Sequence, residues 1–274
     1  MLAYNFDYYL PDTLKEATDI YDSVEKDGKT PLYFGGGTEI ISMARVNNIK
    51  PDVVIDIKKI PECCGFGTDG KQLIFGAAMT LSAIQESGLY PLLGLAGGRI
   101  ADHTIQCKLT LGGNLAGTIY YHEMLLPLLL SDSMIYITSP QGSRKVPITE
   151  VLSIGKGLAP GELIVKVALD IEYATLPYVH IKKTKIEKIG YPLVSLSAIY
   201  KDGYLRLAAS GLCTYPFRFS DTHLNSNISA AELAEQLVQS IPGTIIDDLE
   251  GSAKYREFIF KKTVENIIIK LRKS

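Results

Sequence analysis

Three consecutive glycines, Gly35-Gly36-Gly37, constrain this chain more than any other feature. They follow the apolar run Pro31-Leu32-Tyr33-Phe34 and precede Thr38-Glu39-Ile40-Ile41. The pattern predicts a strand that ends in a side-chain-free bend and re-enters regular structure. Such a bend lets the main chain approach a ligand closely and take up positive φ. Its successive N–H groups can form an anion-binding nest. A second stretch, Thr110-Leu111-Gly112-Gly113-Asn114, has the same character. The expectation is that both bends close on one ligand bearing a diphosphate. Taken alone, the first stretch also fits a plain tight turn. The spacing is not Gly-x-Gly-x-x-Gly, so an ordinary dinucleotide fold is a poor match.

The remaining composition narrows the function classes. With 274 residues, 46% hydrophobic and 21% charged, the chain can bury a full core in one or two domains. A formal net charge of -2 gives no electrostatic case for nucleic acid or an anionic membrane. No apolar run reaches membrane-spanning length, and Met1 to Asp7 shows no basic segment leading into an apolar one. Cys63, Cys64, Cys107 and Cys213 show no Cys-x-x-Cys or Cys/His metal spacing. Reduced cysteines in a cytoplasmic protein are expected, with no metal site and no iron–sulfur cluster on this chain. The four histidines are scattered, and no nucleophile–base pair or carboxylate dyad stands out, so no catalytic residue is assigned.

Periodicity predicts a helix over 11–27, capped by Asp12 or Thr13, then strands over 29–34 and 52–57 with a short helix over 40–45 between them. Residues 65–70 read as a turn before a strand over 72–77. Helices are expected over 80–87, 89–105 and 123–130, with a glycine loop at 110–117. Strands follow over 134–138, 145–148 and 163–169, then over 178–183, 193–200 and 204–210, the last two joined by Lys201-Asp202-Gly203. Helices over 229–240 and 252–271 close the chain. Strands first and helices after is an α+β signature, with a boundary near Thr175-Leu176-Pro177.

Five stretches in this order resemble one family. Phe34-Gly35-Gly36-Gly37-Thr38 stands where the family carries Ala-Gly-Gly-Thr/His. Thr110-Leu111-Gly112-Gly113-Asn114-Leu115-Ala116 resembles its Thr-Ile-Gly-Gly-Asn-Ile-Ala. Pro51 to Ile57 with Ile60-Pro61-Glu62, Phe75-Gly76-Ala77-Ala78-Met79-Thr80, and Pro160-Gly161-Glu162-Leu163-Ile164 match three further segments. The chain resembles the FAD-binding (medium) subunit of the molybdenum hydroxylases, the group of xanthine dehydrogenase and carbon monoxide dehydrogenase. The resemblance implies a PCMH-type FAD-binding fold over 1–175, made of α/β subdomains at about 1–58 and 59–175. It implies a carbon monoxide dehydrogenase flavoprotein-like domain over 176–274, a three-stranded antiparallel sheet with helices.

The implied cofactor is FAD, held by Phe34, Gly35, Gly36, Gly37, Thr38 and Glu39 and by Thr110, Leu111, Gly112, Gly113 and Asn114. Lys182 falls where the family has a lysine beside the flavin, and Glu123 near its aspartate. Tyr191 lies near the point where carbon monoxide dehydrogenase relatives carry an aromatic residue over the flavin ring, and the resemblance implies the same cover role for it. Each has a plainer role open to it: Asn114 as a helix cap, Lys182 in a solvated strand end, Glu123 at a helix N-terminus, Tyr191 in a turn. The implied partners are a molybdopterin-binding large subunit, a [2Fe-2S] small subunit, and NAD+ or another electron acceptor. The implied function is an electron-transfer subunit of a molybdenum hydroxylase. Two rivals are a degenerate non-redox assembly module and a stand-alone flavin oxidoreductase of the same fold. The chain departs from the family at Gln106-Cys107-Lys108-Leu109, usually Arg-Asn-x-Gly, and at Thr118 to Glu123, usually built around Ser-Pro and Ser-Asp.

Overall fold

The computed structural model describes residues 4–152, 156–187, 189–224 and 227–273. Met1 to Ala3, at the head of the segment read for a targeting signal, lie outside the described residues. No helix among the described residues is long and apolar enough to cross a membrane.

The first unit is a three-stranded parallel sheet in the order Asp7–Tyr9, Val53–Asp56, Pro31–Phe34. Parallel neighbours need a crossover, and the helix Thr38–Arg45 supplies it between the second and third strands in sequence. Helix Leu14–Lys26 starts at Thr13, whose side chain accepts from the Glu16 amide, so Thr13 rather than Asp12 is the cap. Its Ala17 packs with Val53, Ile55 and Ile57. The strand Asp7–Tyr9 was not foreseen. All three residues are exposed, so no apolar alternation marks it.

The second unit is an antiparallel sheet in the order Phe66–Asp69, Gln72–Gly76, Leu163–Asp170, Met134–Ser139, Gly142–Pro147. Phe66–Asp69 lies in the stretch read as a turn; its exposed residues carry little apolar signal. The single helix expected over 89–105 is two helices, Pro91–Gly97 and His103–Gln106. The first runs out at Gly97-Gly98, Ala101 takes up a left-handed φ of 55°, and Asp102 recaps the chain by accepting from the Ile105 amide. The helix expected over 123–130 is Leu125–Leu130, all six residues buried.

The third unit is the antiparallel meander Tyr178–Thr184, Pro192–Lys201, Tyr204–Ser210, extended by Phe217–Arg218 and Thr222–His223. Helices Ala230–Gln239 and Ala253–Leu271 share one core with it through Leu196, Leu207, Phe260 and Ile267. Ser229 and Ser252 cap these helices, the first in a reciprocal box with Glu232. On the sheet's other face, Arg206 and Arg218 reach back to Asp132 and to the carbonyls of Leu130 and Leu129 at the end of helix Leu125–Leu130. This face carries the residues that approach the candidate site.

Candidate cofactor site

The two glycine stretches, about seventy-five residues apart, meet. A Cβ on Gly35 would lie 2.7 Å from Thr110 Oγ1, and one on Gly36 would lie 1.8 Å from the Lys108 carbonyl oxygen. Gly37 adopts φ 70° and would drive a Cβ to 2.1 Å from the Phe34 ring. Gly35 and Gly36 are therefore what let the first bend lie against the second, while Gly37 lets the chain turn tightly over its own Phe34 ring.

Gly37 begins helix Thr38–Arg45 without any side-chain cap. Among the described residues, no acceptor takes the amides of Gly36, Gly37, Thr38 or Glu39. Four donors at a helix start, on the positive end of its dipole, suit an anion.

The second stretch is built otherwise, and here the nest reading is corrected. Residues Leu111–Ala116 form a short helix rather than a loop. Its amides are spent within the protein: Leu111 N donates to Met79 O (2.9 Å), Gly112 N to Ala77 O (2.8 Å) and Gly113 N to Thr110 Oγ1 (3.2 Å), while Asn114 N bonds Thr110 O (2.9 Å). Thr110 is the cap, so Asn114 is not. Gly112 is needed for packing, since a Cβ there would sit 2.8 Å from that of Ala77. The Asn114 side-chain oxygen instead accepts from the Met124 amide (3.2 Å). Glu39 accepts from the amide of Thr118 at 2.8 Å and from its hydroxyl. It thus ties the first helix to the end of the second stretch.

Glu123 and Lys182 form an ion pair of 2.8 Å with side chains 4% and 3% exposed. Lys182 also donates to Arg99 O (2.9 Å). The solvated-strand-end reading of Lys182 is overturned: alternation along Tyr178–Thr184 turns His180 and Lys182 to the same inward face. Glu123 lies ahead of helix Leu125–Leu130 and points into this interface rather than decorating a helix start. Burial pushes the Glu123 carboxyl above its ordinary value, against the pull of the Lys182 ammonium. Ser195 and Ser197 sit opposite Lys182 and His180 in the sheet register. His180 Nδ1 lies 3.0 Å from Ser197 Oγ. Burial and the nearby Lys182 and Arg99 charges lower the His180 pKa to about 4. Among the described residues, Glu123 Oε1, Ser195 Oγ and His180 Nε2 are buried with no partner within normal hydrogen-bond distance, although the Ser195 hydroxyl is near enough to help hold Glu123 ionised. Buried polar atoms are normally satisfied, so the unmet capacity of this patch, clearest at His180 Nε2, marks a place that a polar group or water completes.

Tyr191 is 61% exposed, and its ring stacks on Tyr121 at 4.9 Å and 18°. Tyr121 packs on Tyr120 (4.3 Å), and their hydroxyls are 3.0 Å apart. The strand following Tyr191 is anchored by the fully buried Arg256, which donates to Leu193 O and Gly211 O (both 2.9 Å) and pairs with Asp248 (2.8 Å). Sequence reasoning missed Tyr120, Tyr121, His180, Ser195 and Arg256. Only the tyrosine pair left a signal, inside the segment noted as departing from the family.

Unspent amides at an uncapped helix start, a glycine bend with no room for side chains, and orphaned polar atoms beside Lys182 fit a cofactor with an anionic diphosphate and a polar ring. A family model, the FAD binding domain in molybdopterin dehydrogenase, matches residues 4–169. The chain is 24% identical to the 6-hydroxypseudooxynicotine dehydrogenase complex subunit alpha of Paenarthrobacter nicotinovorans, over 97% of this chain and 94% of that protein. It is 25% identical to the nicotine 6-hydroxylase medium subunit of the same organism, over 96% and 95%. Among solved structures, quinoline 2-oxidoreductase from Pseudomonas putida 86 superposes with a TM-score of 0.84 at 21% identity, covering 99% of this chain and 98% of that one. Carbon monoxide dehydrogenase from Hydrogenophaga pseudoflava gives 0.82 at 20%, covering 98% of each. These two likenesses establish the shared fold. The match over residues 4–169 carries the assignment further: this chain belongs to the family of FAD-binding domains of molybdopterin dehydrogenases, and it is an oxidoreductase subunit whose cofactor is FAD.

Proposed function

We propose that this chain is the electron-transfer subunit of a molybdenum hydroxylase complex, standing between the [2Fe-2S] clusters of a small subunit and NAD+ or another acceptor. A molybdopterin-binding large subunit would oxidise the substrate. Bound FAD would supply the redox chemistry, accepting electrons from the partner and handing them on. The protein's own contribution is to bind, orient and exclude water. The amides of Gly36 to Glu39 would hold the diphosphate, while Thr110, Gly112 and Gly113 shape the wall against which the first bend lies. Glu123, Lys182, Ser195 and His180 would face the polar part of the ring. Tyr191, exposed and backed by Tyr121, would cover the ring and govern access for the acceptor. The working division is 1–175 for the cofactor domain and 176–274 for the domain that brings Lys182 and Tyr191 to it.

The observation that carries this reading is the contact between the two glycine stretches beside four unspent amides. Purification from the native host tests it. A yellow preparation with flavin absorbance, co-eluting with molybdopterin and iron–sulfur subunits, is the expected result. A colourless protein that refuses added FAD would leave the assembly-module reading. A flavoprotein that elutes alone would favour the stand-alone oxidoreductase.

A further inference from the structure

Lys58 falls between the two halves of the segment Pro51 to Glu62 and was given no role by the sequence, yet it sits on the first glycine bend. Its ammonium donates to Gly35 O at 2.9 Å and to Asp56 Oδ2 at 2.6 Å, and it stands 4.5 Å from the centroid of the Phe34 ring. Asp56 is 3% exposed and ends the central strand of the parallel sheet. Its carboxylate also accepts from the Tyr8 hydroxyl at 2.6 Å and from the Lys58 amide at 3.0 Å. The three strands therefore converge on one chain of contacts: Tyr8 to Asp56, Asp56 to Lys58, Lys58 to the Gly35 carbonyl.

A trans peptide points its C=O and the following N–H in opposite directions. Holding Gly35 O toward Lys58 thus turns the Gly36 N–H away from Lys58, leaving it among the unspent donors. A three-glycine bend determines its own backbone poorly, because glycine visits both signs of φ. Something outside it must fix its peptide planes, and Lys58 is the side chain that does so at Gly35.

We infer that Lys58 is a positioning residue for the cofactor diphosphate: anchored by Asp56, it fixes the Gly35–Gly36 peptide so that the Gly36 amide faces the anion together with those of Gly37 to Glu39. This rests on the flavin reading above. The neighbouring Lys59 provides an internal control. It carries the same charge but pairs with Asp12 at 2.6 Å on the surface and has no contact with the bend among the described residues.

The experiment is fluorescence titration of apoprotein with FAD for wild type, Lys58→Met, Lys58→Arg and Lys59→Met, with thermal melts of each apoprotein. Lys58→Met should weaken FAD binding about tenfold or more, the scale of one lost charge-assisted contact. Lys58→Arg, which can still bridge Asp56 and Gly35 O, should recover most of it, and Lys59→Met should stay within about twofold. An equal loss in Lys59→Met would reduce the effect to net charge, and unchanged affinity in Lys58→Met would remove the role; either overturns the inference while leaving FAD binding intact. Wild-type apoprotein that does not bind FAD overturns the flavin reading and this inference with it. If Lys58→Met melts low enough to compromise the titration, the Arg variant decides: wild-type melting with affinity about tenfold weaker refutes it.

Discussion

Gly36→Ala probes the contact on which the site depends. Gly36 is absent from the positive-φ residues, so an alanine there has no backbone strain and the clash is the whole effect. Its Cβ would lie 1.8 Å from Lys108 O, 2.8 Å from the Lys108 carbonyl carbon and 3.3 Å from Thr110 N. An ordinary C···O contact needs roughly 3.2 Å, so the two main chains must part by about 1.4 Å. They cannot part freely. Leu109 O is held by the Leu81 amide at 2.9 Å, and Leu111 N is bonded to Met79 O at 2.9 Å. Overpacking costs typically about 1–3 kcal/mol, and a neighbour that is backbone puts this case at the upper end, about 3 kcal/mol. For a chain of this size that is a fall in melting temperature of about 6 °C. Because the parting occurs at the bend itself, FAD affinity should fall by about a hundredfold. Circular-dichroism melts of apoprotein and fluorescence titration with FAD measure the two effects. A variant with wild-type melting temperature and wild-type FAD affinity would refute the packing argument and the site together.

Three further outcomes follow from the interface between the second and third units. Lys182→Met leaves the Glu123 carboxylate buried without its cation, which should cost about 3–5 kcal/mol in denaturant unfolding; adding Glu123→Gln should restore a good part of the loss, and an uncoupled pair of mutations would count against the ion pair. His180, with a folded pKa of about 4 against an ordinary 6.5, is held neutral by the fold. Its contribution is therefore present above about pH 6.5 and lost as pH falls through about 4, at most about 3 kcal/mol; unfolding of wild type and His180→Gln at pH 7 and pH 4 should show a steeper acid loss in wild type, and parallel curves would contradict it. Tyr191→Ala removes an exposed ring stacked on Tyr121, so stability should shift by about 1 kcal/mol or less while the rate or choice of electron acceptor changes and bound flavin is kept; an unaltered acceptor profile would end the cover role.

Local chemistry made much of this protein readable in advance. A side chain that caps its own helix acts over three or four residues, so Ser229 was legible as a cap and a start near Thr80 or Ser82 as one of two, while Lys201-Asp202-Gly203 was legible as a hairpin turn. The glycine triplet was legible because no other residue type tolerates so close a main-chain approach. Tertiary structure decided what local chemistry leaves open. Thr110 to Asn114 carries the composition of a ligand loop, yet its amides are consumed by Ala77, Met79 and Thr110, because the neighbouring strand end offers carbonyls there. Lys182 looks like one of several surface lysines until the sheet face it occupies is closed by Arg99 and by Glu123, 59 residues away. Gly36 tolerates alanine in isolation and is forbidden it only because Lys108 arrives from another part of the chain. Caps and turns are set by neighbours in sequence; burial, charge pairing and amide availability are set by whichever segment folds against them.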